Sequence, residues 1–162
     1  SVHATGVPFD ALAPVGELRI RFTMLEEDIA PLADNVTGLE LDSLELEEPE
    51  IVARTEFELF GFAIPIGMGL IPGAQDGRIT FTPTTILIGD DEFSAPELAE
   101  NPIFAAIAGP LLQQQRLCVA QELPRALTVA DVEVARETLV ISITGDAAVL
   151  GGPDLATPGT CE

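Results

Sequence analysis

Lysine, tryptophan and tyrosine are absent from this chain of 162 residues, and histidine occurs once and cysteine twice. Without lysine, seven arginines stand against 27 acidic residues, a formal net charge of -20. Nucleic-acid binding depends on cationic side chains neutralising phosphates, so this balance excludes it. Docking onto an anionic leaflet through a basic patch is excluded on the same ground. The single histidine, His3, lies near the start of the chain, which leaves Ser-His-Asp and Cys-His chemistry without a base. Two thiols and one imidazole are too few for a zinc site, and no CxxC pair is present. Neither a GxxxxGK[ST] loop nor a strand-loop-helix GxGxxG occurs; Gly67-Met68-Gly69 sits inside a strand pattern. No run reaches the roughly 18 apolar residues of a membrane crossing. No secretory signal is visible either, and the expectation is that Ser1 lies within a longer precursor with an anchor or targeting segment before it.

What the chain has is apolar residues, 47% of it, with a mean hydropathy of +0.34. Most alternate with period two, the signature of half-buried strands. Leu18, Ile20, Phe22 and Met24 oppose Glu17, Arg19, Arg21 and Thr23. Ile51 to Leu59 repeats the pattern, and Phe62, Ile64, Ile66, Met68 and Leu70 alternate with small residues or proline. Pro65 predicts an edge or a bulge there, and Gly67 and Gly69, which permit strong curvature or the close approach of another element, are read as the place where the sheet bends. Gln75-Asp76-Gly77 reads as a turn into Arg78–Thr82; Pro83 interrupts, and Thr84–Ile88 continues. Leu127–Ala135 and Leu139–Thr144 read as a C-terminal hairpin turning at Arg136-Glu137. The acidic run Glu45, Glu47, Glu48 and Glu50 around Pro49 reads as a solvated edge between strands.

Helical signals are few. Glu26 to Ala33 carries acids in its first turn, where the helix dipole favours them. Ser94-Ala95-Pro96-Glu97 has the spacing of a capping box, and Asn101-Pro102 restarts a helix through Ile103–Ala108 until Gly109-Pro110 breaks it. The two cysteines, Cys118 and Cys161, are read as a disulfide pinning the 146–162 tail, which implies an oxidising compartment. Asp90-Asp91-Glu92 lacks the spaced ligands of a calcium loop and reads as a polar turn. Asn35-Val36-Thr37 matches the glycosylation pattern. No catalytic residue, metal ligand set or cofactor motif is read from the chain, so the reading is of a protein that is not an enzyme.

Apolar surface remains as the chemistry on offer. Ile103 to Leu112 is apolar nearly all round, which a single buried stripe does not explain. One reading is a helix buried in the core. The other places Ile103, Phe104, Ile107, Leu111 and Leu112 at an acyl-chain pocket together with Phe57, Phe62, Ile64, Ile66 and Met68.

Several motifs resemble a known family. Gly77-Arg78-Ile79-Thr80-Phe81-Thr82-Pro83-Thr84, Leu123-Pro124-Arg125-Ala126-Leu127-Thr128-Val129, Leu139-Val140-Ile141-Ser142 with Gly145, and the hairpin Phe57 to Ile66 are similar to the actinobacterial LmeA-like phospholipid-binding family. Gly6-Val7-Pro8 looks like the end of an earlier strand in that family. The resemblance covers most of the chain through structural rather than catalytic motifs. It implies an extracytoplasmic envelope protein with an N-terminal membrane anchor. It also implies a curved antiparallel sheet wrapped around helix, similar to tubular lipid-binding (TULIP-like) folds.

The expectation is therefore one α+β domain over residues 1–162, a strongly curved antiparallel sheet with helices near 26–34 and 95–114 on its concave side. Its expected function is non-catalytic binding or transfer of phospholipid in the cell envelope, membrane-associated through the missing anchor. An envelope biosynthetic enzyme is the expected protein partner. The alternative is a structural or regulatory module of envelope lipoglycan biosynthesis that holds no lipid.

Overall fold

The computed structural model describes residues 1–29, 42–59, 62–109 and 112–161, with backbone alone at 57–59, 104, 107 and 108. Within them the chain is mainly antiparallel sheet with a few short helices, an α+β architecture. Strands β1 (Val2–Thr5), β2 (Glu17–Leu25), β9 (Thr128–Ala135) and β10 (Thr138–Asp146) form a small sheet in the order β1-β2-β10-β9. Strands β3 (Ser43–Glu47), β4 (Glu50–Leu59), β5 (Phe62–Gln75), β6 (Arg78–Ile88) and β7 (Asp91–Ser94) pair in sequence order as a second, larger sheet. Strand β8 (Gln115–Cys118) joins it beside the first half of β6. Helix α1 begins at residue 26, its described part spanning 26–29; α2 (Ala95–Glu100) and α3 (Pro102–Ala108) follow β7.

The two sheets bury their apolar faces against each other. Leu44, Leu46 and Ile51 of the large sheet meet Val129, Val132, Val134, Leu139 and Ile143 of the small one, with Ile29 of α1 at the rim. Ile79, Phe81 and Ala74 pack on this cluster from β6 and β5. A second cluster, Val15, Leu18 and Ala148, seals one end of the small sheet. Each inner face is apolar at alternate positions, as sheet-on-sheet packing requires. Neither sheet is strongly curled. The second sheet, rather than helix, fills the large sheet's inner face around Leu46 and Ile51, which corrects the expectation of a sheet wrapped around helices.

Local chemistry explains the joints. Asp76 and Gly77 both have positive φ, 53° and 69°, the conformation of a two-residue turn whose twist matches the flanking strands. In β6 the register passes from Gly69↔Thr85 to Leu70↔Pro83, so Thr84 is the extra residue of a bulge and its hydroxyl donates to the Gly69 carbonyl at 3.0 Å. Pro83 therefore does not divide the strand as the sequence predicts: β6 runs unbroken from Arg78 to Ile88, with Pro83 paired to Leu70 beside the bulge.

Pro65 behaves differently from expectation, because β5 is an inner strand. Its register with β6 starts only at Ile66, and its carbonyl accepts from Gly89 N at 2.8 Å, so its missing N–H falls at the end of the ladder. A methyl on Gly67 would meet Leu87 Cδ1 at 3.0 Å and Arg54 Cγ at 3.2 Å, and one on Gly69 would meet the Glu50 carboxylate. Both glycines therefore serve the close approach of side chains from neighbouring strands rather than the strong bend expected of them.

The acidic run is corrected in part: Glu48-Pro49 is the turn, while Glu45 and Glu47 belong to edge strand β3, where charge discourages further pairing. The expected helix over 95–114 is two short helices ending at Ala108, and residues 112–114 are not helical. Asn101 caps α3, accepting from Ile103 N at 3.0 Å, whereas Ser94 makes no side-chain cap on α2. The expected helix over 26–34 and the sequon at Asn35 lie largely outside the described residues. Cys118 and Cys161 form the disulfide, their Cα atoms 6.0 Å apart.

Candidate functional site

Directly paired residues of adjacent antiparallel strands project to the same face, so the register assembles the site. Ile66 lies opposite Ile88, Met68 opposite Ile86, and Ile86 opposite Phe93. With Phe62 and Ile64 of β5 they make one apolar strip across β5, β6 and β7, on the face that carries the core. Towards Leu46 and Ile51 that face is covered by the small sheet. Away from it the face opens: Phe62 is 74% exposed, Phe93 40% and Ile88 39%.

The expected residues divide accordingly. Phe62, Ile64, Ile66 and Met68 come together, the last three half-buried. Phe57 holds the register position opposite Ile64, its side chain outside the description. Ile103 on α3 is 70% exposed and lines neither of the concavities below. Leu112 is half-buried beyond the helix; the side chains of Phe104 and Ile107, and Leu111 entirely, lie outside the described residues. Helix α3 packs on α2, which lies against β6 and β7. Ile86, Ile88 and Phe93 were missing from the sequence reading, and the register is what reveals them.

Two concavities accompany the strip. One, of about 210 Å³, lies mainly on the opposite face of the sheet, walled by Arg54, Pro65, Gly67, Leu87 and Glu92. The Arg54 guanidinium there is engaged with Glu45 at 2.5 Å. The other, of about 170 Å³, lies between the Asp76-Gly77 turn, Leu123, Leu127 and the tail at Gly159-Thr160. Both are smaller than the roughly 300–1,000 Å³ of typical small-molecule sites. Among the described residues no three His, Cys, Asp or Glu side chains are placed to hold a metal ion, and no helix is long and apolar enough to cross a membrane. No family model, curated protein or solved structure matches the chain. The family likeness therefore rests on the motifs quoted above.

Proposed function

We propose that this domain binds an acyl chain, most naturally that of a phospholipid, on the open apolar strip formed by Phe62, Ile64, Ile66, Ile86, Ile88 and Phe93, without catalysing a reaction. The observation that carries the reading is the side-by-side placement of these residues by the strand register, with Phe62, Ile88 and Phe93 left substantially exposed. An elongated hydrocarbon tail suits a strip better than an enclosed pocket. Each methylene removed from water contributes about 0.8 kcal/mol, so ten would supply roughly 8 kcal/mol before the cost of ordering the chain is deducted. The disulfide supports an oxidising, extracytoplasmic setting, and the motif resemblance supports an envelope role.

Organic extraction of the purified protein followed by mass spectrometry, together with titration by a fluorescent fatty acid, tests this. Saturable binding that Ile66→Asp and Ile88→Asp each weaken by about tenfold or more is the expected result. Absence of both co-extracted lipid and saturable binding overturns it. The small size of the concavities favours a second reading, a structural or regulatory interaction module in envelope biosynthesis that holds no lipid.

A further inference from the structure

The loop joining β1 to β2 exposes apolar side chains at one end of the small sheet. Phe9 is 113% exposed relative to an extended reference, Leu12 72% and Val7 55%, while Leu150 on the adjoining loop is 49% exposed. The loop is firmly built. The Asp10 carboxylate accepts from Leu12 N at 2.9 Å and the Asp10 carbonyl from Ala13 N at 3.0 Å, so Asp10 answers two of the turn's backbone donors. Gly151 N donates to the Ala11 carbonyl at 2.8 Å and Val15 N to Ala148 O at 2.9 Å, tying the loop to the segment that follows β10. Val15, 2% exposed, anchors its base in the second core cluster.

From this we infer that the β1–β2 loop is a membrane-contacting tip, which seats Phe9, Leu12 and Val7 in the interfacial layer of an electrically neutral bilayer. Three arguments favour a lipid surface over a protein. The tip is convex, so a protein partner would need a matching pit, whereas a bilayer accommodates a projecting aromatic. A Phe side chain presents on the order of 200 Å², and a tip of three apolar residues falls short of the roughly 800 Å² per partner of a stable protein interface. Interfacial lipid binding instead grows with whatever apolar area is inserted. The loop carries no arginine and the chain has a net charge of -20, so zwitterionic headgroups are preferred over anionic ones. This inference stands on a different end of the molecule from the acyl-binding strip and does not require it.

The chain contains no tryptophan, so Phe9→Trp introduces a single fluorophore at the apex. With phosphatidylcholine vesicles its emission shifts to the blue and is quenched by acyl chains brominated near the headgroup, and both effects weaken when phosphatidylglycerol is added. Phe9→Asp with Leu12→Asp, at side chains that face solvent, leaves the circular dichroism spectrum unchanged and lowers vesicle co-sedimentation about tenfold or more. Unchanged Phe9→Trp emission with phosphatidylcholine vesicles overturns the inference. So does a concentration-dependent dimer that Phe9→Asp dissolves, since the tip would then be a contact between copies. A Phe62→Trp reporter titrated with fatty acid in the absence of vesicles responds only to the strip, which keeps failure of the two readings distinguishable.

Discussion

An added methyl at Gly145 in β10 would stand 2.8 Å from Leu127 Cδ2 and 3.0 Å from the Ala126 carbonyl oxygen, whereas one at Gly89 would meet nothing within 4 Å but would sit on a backbone with φ of +62°. The two glycines are needed for different reasons, and substitution separates them. Gly145→Ala overpacks a buried site and is expected to lower unfolding free energy by about 1–3 kcal/mol. Gly89→Ala meets only the left-handed backbone penalty, about 1 kcal/mol. Urea midpoints of the two variants measure both. Leu46→Ala, at a position 5% exposed between the sheets, is expected to cost about 2–5 kcal/mol by the same measurement. At this scale the strip was half legible in the sequence. Phe62, Ile64, Ile66 and Met68 keep one parity along β5, and alternation alone puts them together. In β6 the bulge at Thr84 moves the inward positions from Ile79 and Phe81 to Ile86 and Ile88. A one-residue insertion reverses which side chains face inward, and periodicity gives no sign of where it falls. The same happens in β9, where Val129 and then Val132 and Val134 face the core across a shift at Ser142/Ile143.

Elements announced by turn chemistry or by two flanking alternations were readable in advance: the β5–β6 hairpin at Asp76-Gly77 and the β9–β10 hairpin are both present. Strand β1, whose four residues are all exposed, and β8, with only Leu117 and Cys118 half-buried, carry too little burial to imprint a pattern. Helix α3 was overextended because an apolar run says nothing about where its backbone bonds end. The tail is the element most dependent on one covalent link. Beyond β10 it is held by Gly159 N to Leu123 O at 2.9 Å, Arg125 N to Thr157 O at 2.8 Å and the exposed Arg125–Asp154 pair at 3.4 Å. The disulfide joins residues 43 apart, which in the chain-entropy model is worth about 4 kcal/mol. Cys118→Ser with Cys161→Ser is expected to lose about that amount in a denaturant titration. In the native protein, alkylation without reductant is expected to modify neither thiol.

For the whole molecule, charge is the dominant collective quantity. A net charge of -20 on 162 residues opposes compaction through self-repulsion, which dissolved salt screens. Raising ionic strength from about 0.01 M to 0.15 M, where the screening length falls from roughly 30 to 8 Å, is expected to raise the melting temperature by a few degrees. A melting temperature that falls instead would show that the ion pairs at Arg19–Glu17 and Arg54–Glu45 outweigh the repulsion. The large sheet is built from strands that follow one another along the chain, but the small sheet is not: β2, near the beginning, aligns along its length with β10, near the end. On a ribosome the large sheet has all of its consecutive strands before β10 has been made, whereas Leu18 and Ile20 must wait for Gly145 and Ile143. The small sheet therefore closes late, after a long excursion whose loop entropy slows that step. A nascent chain stalled before residue 138 would leave β2 paired with β1 alone and β9 without the strand that joins it to β2.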